Sequence, residues 1–163
     1  MGICSALIRL HGFDSIHSIF MQYVKNRLRM SSSLFMVLGD TPGLSVAAQS
    51  TEHLIQEYCS SRIFLNTSLI SPVPTCLLEA MACGCAIVTT STCMIPEIIK
   101  NGENGYISND PIKLREYVER LLSDEKLATK LGLAARETII NNFSLDNFVN
   151  KWNEVFVQCV KPK

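Results

Sequence analysis

Short apolar runs alternate with segments of helical spacing along most of this chain. The apolar runs are short and bounded by turn-forming residues, so we predict strands at residues 34–38, 62–65, 86–89 and 106–107. Apolar positions that recur every three or four residues predict helices at residues 14–30, 50–59, 76–83, 111–122, 125–141 and 144–157. From residue 34 onward strands alternate with helices, which is typical of a parallel, doubly wound sheet.

Particular residues mark the ends of several predicted helices. Ser50 and Ser144 stand at helix starts, where a hydroxyl accepts a hydrogen bond from an unpaired backbone N–H. Pro111 suits the first turn of a helix, and Gly84 suits the residue just past a helix end. In the last helix Phe148, Trp152 and Phe156 share one face, which indicates core or interface rather than a base-stacking platform.

The chain has 163 residues, enough for one domain and too few for a second large one. We divide it into an N-terminal helical segment at residues 1–33 and a single compact unit at residues 34–163. The formal net charge is zero, so the chain as a whole does not attract nucleic acid or an anionic membrane. It has no apolar run long enough to cross a bilayer and no clean signal peptide, and we expect a cytoplasmic protein.

The seven cysteines are odd in number and irregular in spacing. Cys83-Gly84-Cys85 lacks the two-residue gap of redox and zinc pairs, and no histidine lies at ligand spacing from it. We interpret the cysteines as small buried apolar residues of a reducing compartment.

The predicted strands place three loops at one edge of the sheet. Residues 39–43, 68–75 and 89–96 all follow carboxyl ends of strands, where doubly wound sheets bind ligands. The middle loop runs into a helix at Thr75, and a helix N-terminus offers backbone N–H groups and a positive dipole end to a phosphate. Glu79, one turn later, is placed to accept hydrogen bonds from sugar hydroxyls. The loop and helix therefore indicate a nucleotide-diphosphate ligand.

These segments carry a family resemblance. LLEAMACG at residues 77–84, AIVTT after it, and IPEIIKNGENGY at residues 95–106 resemble the nucleotide-sugar-binding half of retaining glycosyltransferases of family 4, the glycosyl transferases group 1 set. The resemblance covers residues 58–156 well and residues 34–57 loosely. It implies a Rossmann-like parallel sheet with flanking helices, the later part of the C-terminal domain of a GT-B glycosyltransferase, followed by C-terminal helices.

The resemblance also implies roles for individual residues. Glu79 matches the second of two family glutamates, so it would accept hydrogen bonds from the ribose hydroxyls; the alternative is an ordinary exposed helix carboxylate. Phosphate capture would rest on Thr75 and Cys76. The other donor-binding candidates are Pro74, Val73, Leu78 and Ser68. Gly39, Asp40 and Thr41 are candidates for the loop that packs against the base, or else form an ordinary strand-to-turn junction.

The chain departs from the family at the first glutamate, where Ser71 stands. A serine carries no charge to stabilise an oxocarbenium-like transition state, so Ser71 is a doubtful catalytic residue. Pro72 also removes a backbone donor that the glycine of the family would supply. We expect weak or redirected catalysis.

The resemblance implies a metal-independent hexosyltransferase that uses a UDP- or GDP-type sugar as substrate and needs no cofactor. The acceptor-binding half of the GT-B architecture does not match any part of this chain, so transfer would require an acceptor domain, supplied by a partner chain or otherwise. Two alternatives are a non-catalytic or truncated relic that binds nucleotide at best, and a donor-domain subunit that acts with a separate chain. A nucleotide-sugar epimerase or dehydrogenase is disfavoured because residues 39–43 lack the G-x-G-x-x-G turn.

Overall fold

The computed structural model describes residues 5–9, 34–37, 48–68 and 72–160. Five strands form one sheet: β1 (Ser5–Arg9), β2 (Leu34–Val37), β3 (Ile63–Asn66), β4 (Ala86–Thr89) and β5 (Tyr106–Ile107). The helices are α1 (Thr51–Cys59), α2 (Thr75–Ala82), α3 (Ile95–Ile98), α4 (Pro111–Ser123), α5 (Glu125–Asn142) and α6 (Leu145–Val160). The predicted elements from residue 50 onward are all present, with ends within a few residues of those expected.

The sheet has the strand order β2-β1-β3-β4-β5. The three strands β3, β4 and β5 are parallel, with Phe64 opposite Ile87 and Val88 opposite Tyr106, and flanking helices connect them. This confirms the predicted parallel sheet with flanking helices.

Strand β1 was not predicted, and it departs from a purely parallel sheet. It pairs antiparallel with β2 and β3, so it separates two strands that run in the same direction. It falls within residues 1–33, which the sequence analysis treated as a helical segment. The helix predicted at residues 14–30 lies outside the described residues.

Alternate side chains of β3 and β4 enter two separate cores. Ile63, Leu65 and Val88 pack with α4 and the first half of α5. Phe64 and Ile87 point to the other face and pack with α1, α2 and α3. Every residue of both strands is buried, as expected for parallel strands covered on both faces.

Helix α5 passes close to the turn that joins α2 to β4. Gly84 ends α2 with a φ of 82°, which agrees with its predicted place just past the helix. A Cβ on Gly132 of α5 would lie 2.1 Å from the carbonyl oxygen of Gly84. Only glycine therefore allows α5 to approach the turn this closely.

Helix α6 contributes no buried residue. Ser144 stands before its first residue and its hydroxyl accepts a hydrogen bond from the N–H of Asn147, as the predicted cap requires. Phe148, Trp152 and Phe156 do share one face, with ring centroids 6.2 and 5.6 Å apart. All three are exposed, so the aromatic stripe does not lie in the core of this chain.

We predict that Gly132→Ala lowers the free energy of unfolding by about 1–3 kcal/mol, because the added methyl group forces α5 away from Gly84. Urea unfolding followed by circular dichroism measures the change. Lys130→Ala, at an exposed position of the same helix, is the matched control and should change stability by less than about 0.5 kcal/mol. Equal stability of the two variants would contradict the close contact.

Candidate functional site

A buried polar network closes the carboxyl edge of the parallel strands. Asn66, the last residue of β3, donates from Nδ2 to Thr89 Oγ1 at 3.0 Å. Its Oδ1 accepts from the backbone N–H of Ser68 at 3.2 Å and from the Ser68 hydroxyl at 2.8 Å. Asn66, Ser68 and Thr89 are all buried. The network fixes where the loop after β3 leaves the sheet.

Further hydrogen bonds join this loop to the loop after β4. The Thr90 hydroxyl donates to the carbonyl of Ser68 at 2.5 Å. The backbone N–H of Met94 donates to the carbonyl of Pro72 at 3.2 Å. The two loops that the sequence analysis placed at this edge therefore lie side by side.

The loop after β4 contains a strained residue. Cys93 has a φ of 49°, in the left-handed region that a residue with a side chain rarely adopts. It is exposed and precedes the short helix α3. Its backbone conformation places Met94 where its N–H reaches Pro72.

Helix α2 begins at this edge, directly after the loop from β3. Pro74 precedes the helix, and its carbonyl accepts from the N–H of Leu77 at 3.0 Å and of Leu78 at 3.4 Å. Proline has no side chain able to cap the helix, and no side-chain cap is present. The helix is anchored by Leu77, Ala80 and Met81, which are fully buried. Its first turn is thus held rigidly with Thr75 exposed.

Glu79 lies on the exposed side of α2, one turn beyond Thr75. Its Oε2 accepts a hydrogen bond of 3.0 Å from the hydroxyl of Tyr58, near the end of α1. Within the described part of the chain, no second hydrogen bond to this carboxylate accompanies it. One carboxylate oxygen is therefore anchored while the other faces away from that bond.

Tyr58 is a firm anchor because its ring is almost completely buried. It is 1% exposed and packs against Phe64, with the ring centroids 6.3 Å apart. Burial raises the pKa of Tyr58 far above its usual range, and the negative charge of Glu79 and the hydrogen bond to it raise the pKa further. The hydroxyl therefore stays protonated, and a hydrogen-bond donor, at any physiological pH.

The predicted donor-binding residues differ in their exposure to solvent. Thr75 and Glu79 are exposed on α2, Val73, Cys76 and Leu78 are half-buried, and Pro74 is buried. Ser68 is buried and its hydroxyl is occupied by Asn66, so its side chain holds the loop rather than facing solvent. Ser71, Gly39, Asp40 and Thr41 lie outside the described residues.

Sequence reasoning missed Tyr58. A buried tyrosine hydroxyl needs a hydrogen-bond partner, so burial of Tyr58 indicates that one exists. The partner lies 21 residues away, and the sequence does not identify it.

The prediction that the cysteines are buried was wrong for most of those that the structure describes. Cys59, Cys93 and Cys159 are exposed, and Cys85 is the one buried cysteine among those the structure describes.

A cleft of about 630 Å³ opens beside the two loops. Val73 and Met94 form its end nearest the start of α2, and Glu97, Lys100 and Glu137 are among the charged residues that line it.

Residues 48–68 and 72–160 contain no cluster of three or more side chains placed to bind a metal ion. No helix in the described ranges is long and apolar enough to cross a bilayer.

Comparison with known proteins identifies the family. The family described as "Glycosyl transferases group 1" matches residues 45–138, more than half of the chain. N-acetyl-alpha-D-glucosaminyl L-malate synthase of Bacillus anthracis is 32% identical over 87 residues, which cover 52% of this chain and 23% of that protein. The chain thus spans about a quarter of the length of this curated relative.

Two solved structures are similar in fold. Sucrose-phosphate synthase from Thermosynechococcus elongatus has a TM-score of 0.63 at 21% identity, covering 72% of this chain and 30% of that one. A variant of TarM from S. aureus, crystallised with fondaparinux, alpha-GlcNAc-glycerol and UDP, has a TM-score of 0.56 at 25% identity, covering 64% of this chain and 22% of that one.

These likenesses confirm the predicted Rossmann-like fold of GT-B glycosyltransferases. The matched segment includes both loops of the carboxyl edge and the whole of α2. The chain therefore belongs to the glycosyl transferases group 1 family.

Proposed function

We propose that this chain is the donor-binding part of a retaining glycosyltransferase of family 4. It binds a nucleotide-diphospho-sugar of UDP or GDP type and transfers the sugar with retention when an acceptor domain is supplied. The observation that carries the proposal is Glu79, exposed on the same side of α2 as Thr75 and held by Tyr58.

The spacing along α2 suits the two polar parts of a nucleotide. The start of the helix at Thr75 offers backbone N–H groups and the positive end of the dipole to the diphosphate. Glu79 lies about 5–6 Å further along the same side, one helical turn away. A ribose joined directly to the diphosphate would lie beside this carboxylate.

The Tyr58 hydrogen bond orients Glu79 for binding to ribose hydroxyls. An exposed glutamate normally samples several rotamers, and ordering it on binding costs free energy. The bond from the buried Tyr58 hydroxyl limits that freedom before any ligand arrives. The remaining carboxylate lone pairs can then accept two neighbouring hydroxyls.

The donor is expected to be bound without a metal ion or a cofactor. Backbone N–H groups and the α2 dipole would compensate the charge of the diphosphate, as the family resemblance implies. The similar TarM structure contains UDP, which supports a uridine nucleotide as the first ligand to test.

A second candidate function is nucleotide binding without turnover. Ser71 stands where the family resemblance predicts a glutamate, so the negative charge that would stabilise the reacting sugar is missing from that position. A relic or truncated product would bind a nucleotide sugar and leave it intact.

A third candidate is a donor-domain subunit that works with a separate acceptor-domain chain. The observation in its favour is α6, whose apolar residues are exposed, with Leu145 at 75% and Val160 at 79% exposure. Such a stripe suits burial against another protein surface. Co-purification of an acceptor-domain chain would favour this candidate over the relic.

Calorimetric titration with UDP-, GDP- and ADP-sugars tests the proposed donor site. We expect binding of at least one of them, and a loss of roughly tenfold in affinity for Glu79→Gln, because the neutral amide is a weaker acceptor for hydroxyls. Glu116→Gln, at an exposed position of α4, is the control and should bind as the unaltered chain does. No heat with any nucleotide sugar at millimolar concentration would rule out the proposed function.

Tyr58→Phe removes only the hydroxyl that anchors Glu79. We expect affinity for the nucleotide sugar to fall roughly 3–10-fold, which is about the free-energy cost of ordering one flexible side chain on binding. Affinity for the 2′,3′-dideoxy nucleotide should be unchanged, because it has no ribose hydroxyls for Glu79 to accept. An equal loss for both ligands would show instead that Tyr58 acts through the packing of the helices.

Ser71→Glu tests the second candidate. If the second candidate is right, we expect no transfer or donor hydrolysis by the variant, because the carboxylate at this one position would not by itself restore turnover. Release of free sugar from a radiolabelled donor is the measurement. Hydrolysis by Ser71→Glu but not by Ser71→Gln would show instead that the single carboxylate restores chemistry and that the rest of the donor site is competent.

A further inference from the structure

Two thiols lie together where α1 and α2 end. Cys59 is the last residue of α1 and Cys83 directly follows α2. Both helices lead into neighbouring parallel strands, so their C-termini lie next to each other at the amino edge of the sheet. This edge is opposite to the loops of the proposed donor site.

Several contacts hold the two helix ends against each other. The thiol of Cys85 donates to the carbonyl of Tyr58 at 3.2 Å and to that of Ser61 at 3.6 Å. The Tyr58 hydroxyl bonds Glu79, which is one helical turn before Cys83. The residues on either side of Cys59 are therefore fastened to the segment that contains Cys83.

The two thiols face the same space. Cys59 and Cys83 both line a cleft of about 420 Å³, together with Arg62 and Arg136. Cys59 is exposed and Cys83 is half-buried, and the Cys59 side chain is near enough to raise the pKa of the Cys83 thiol. Two thiols at adjacent helix ends that line one cleft can approach each other by rotation about their side-chain bonds, which is the movement that a disulfide requires.

We propose that Cys59 and Cys83 form a redox-active pair that closes into a disulfide when the chain meets a low-molecular-weight disulfide such as glutathione disulfide. This proposal does not depend on nucleotide binding. Its physical consequence is a covalent link between α1, which carries Tyr58, and α2, which carries Glu79.

The reaction proceeds by two thiol–disulfide exchanges. The thiolate of Cys59 attacks one sulfur of glutathione disulfide, and the first glutathione leaves as a thiolate and takes up a proton. Cys83 then loses its proton to water and attacks the Cys59 sulfur, and the second glutathione leaves in the same way. In total two protein thiols are oxidised and one glutathione disulfide is reduced to two glutathione thiols.

Exposure assigns the two roles. Cys59 is open to a bulky disulfide, whereas the half-buried Cys83 can reach the Cys59 sulfur from within the protein. Burial raises the pKa of Cys83 to about 11, and the nearby Cys59 side chain adds to the shift. Because the raised pKa leaves little Cys83 thiolate at neutral pH, we expect the second exchange to be slower there than at alkaline pH.

Cys85 is unsuited to either role. It is fully buried and its sulfur is bonded to two carbonyls, and burial raises its pKa to about 12. The adjacent pair Cys83 and Cys85 is therefore not expected to form the disulfide.

Oxidation of the purified full chain with glutathione disulfide tests the proposal. After alkylation of the remaining thiols, mass spectrometry should show that Cys59 and Cys83 are no longer alkylatable and that neither of them retains glutathione. Peptide mapping without reduction should recover a Cys59–Cys83 cross-link. Cys83→Ser should instead accumulate a mixed disulfide of glutathione on Cys59, and Cys59→Ser should give no cross-link.

Cys159→Ser is the matched control, since it removes an exposed cysteine on α6 and should oxidise as the unaltered chain does. Circular dichroism confirms that each variant is folded, and Cys83→Ala replaces Cys83→Ser if the serine variant is not. A cross-link between Cys83 and Cys85, glutathione that stays on Cys59 in the unaltered chain, or persistent thiols at both positions would each overturn the proposal.

The pH dependence of the second exchange gives a further check. The titratable groups that interact with Cys83 are Cys59 from α1, Glu79 from α2, the neighbouring Cys85 and Arg136 from α5. Arg62 and Glu125 line the same cleft. Below the pKa of Cys83 its thiolate fraction rises about tenfold per pH unit. Loss of the mixed disulfide should therefore accelerate by about that factor per unit between pH 7 and 9. A rate independent of pH in this range would show that the mixed disulfide is not resolved by a Cys83 thiol with a raised pKa.

Discussion

Burial of β3 and β4 on both faces is the constraint on which the site depends. Every residue of the two strands is buried, so a polar side chain in the middle of either strand would lose its contact with water. Chemistry is confined to the edges of the sheet, where the chain leaves it. Asn66 and Thr89 end the strands at the carboxyl edge and form a hydrogen bond with each other. The buried amide of Asn66 thus holds together the points where the two loops leave the sheet. The loop after β3 leads directly into α2, so these hydrogen bonds also fix the position of the start of α2.

Much of this architecture could be predicted from local sequence patterns. The helix starts at Ser50 and Ser144 are confirmed, because capping depends on a few consecutive residues. Gly84 ends α2 as predicted, since a positive φ is readily adopted by glycine. The exposed position of Glu79 agrees with helical spacing, because Leu77, Ala80 and Met81 define the buried side of α2.

The rest depends on contacts between residues distant in the sequence. Periodicity indicates which side of a helix is buried but not which helix lies next to it, so the bond from Tyr58 to Glu79 and the proximity of Cys59 to Cys83 could not be foreseen. Strand β1 was missed for the same reason. Five residues adopt an extended conformation there through pairing with β2 and β3, and local propensity does not reveal that pairing.

Helix α6 differs from the other elements in how its conformation is maintained. None of its 16 residues is buried, so tertiary packing adds little to its stability. A helix of this length is marginal in water by itself, and its several valines lower its intrinsic propensity. The helical content of α6 should therefore vary with temperature and depend on whether its apolar side is covered. The last helix can therefore fold fully only when its apolar side binds another surface, so that its folding and its binding are coupled.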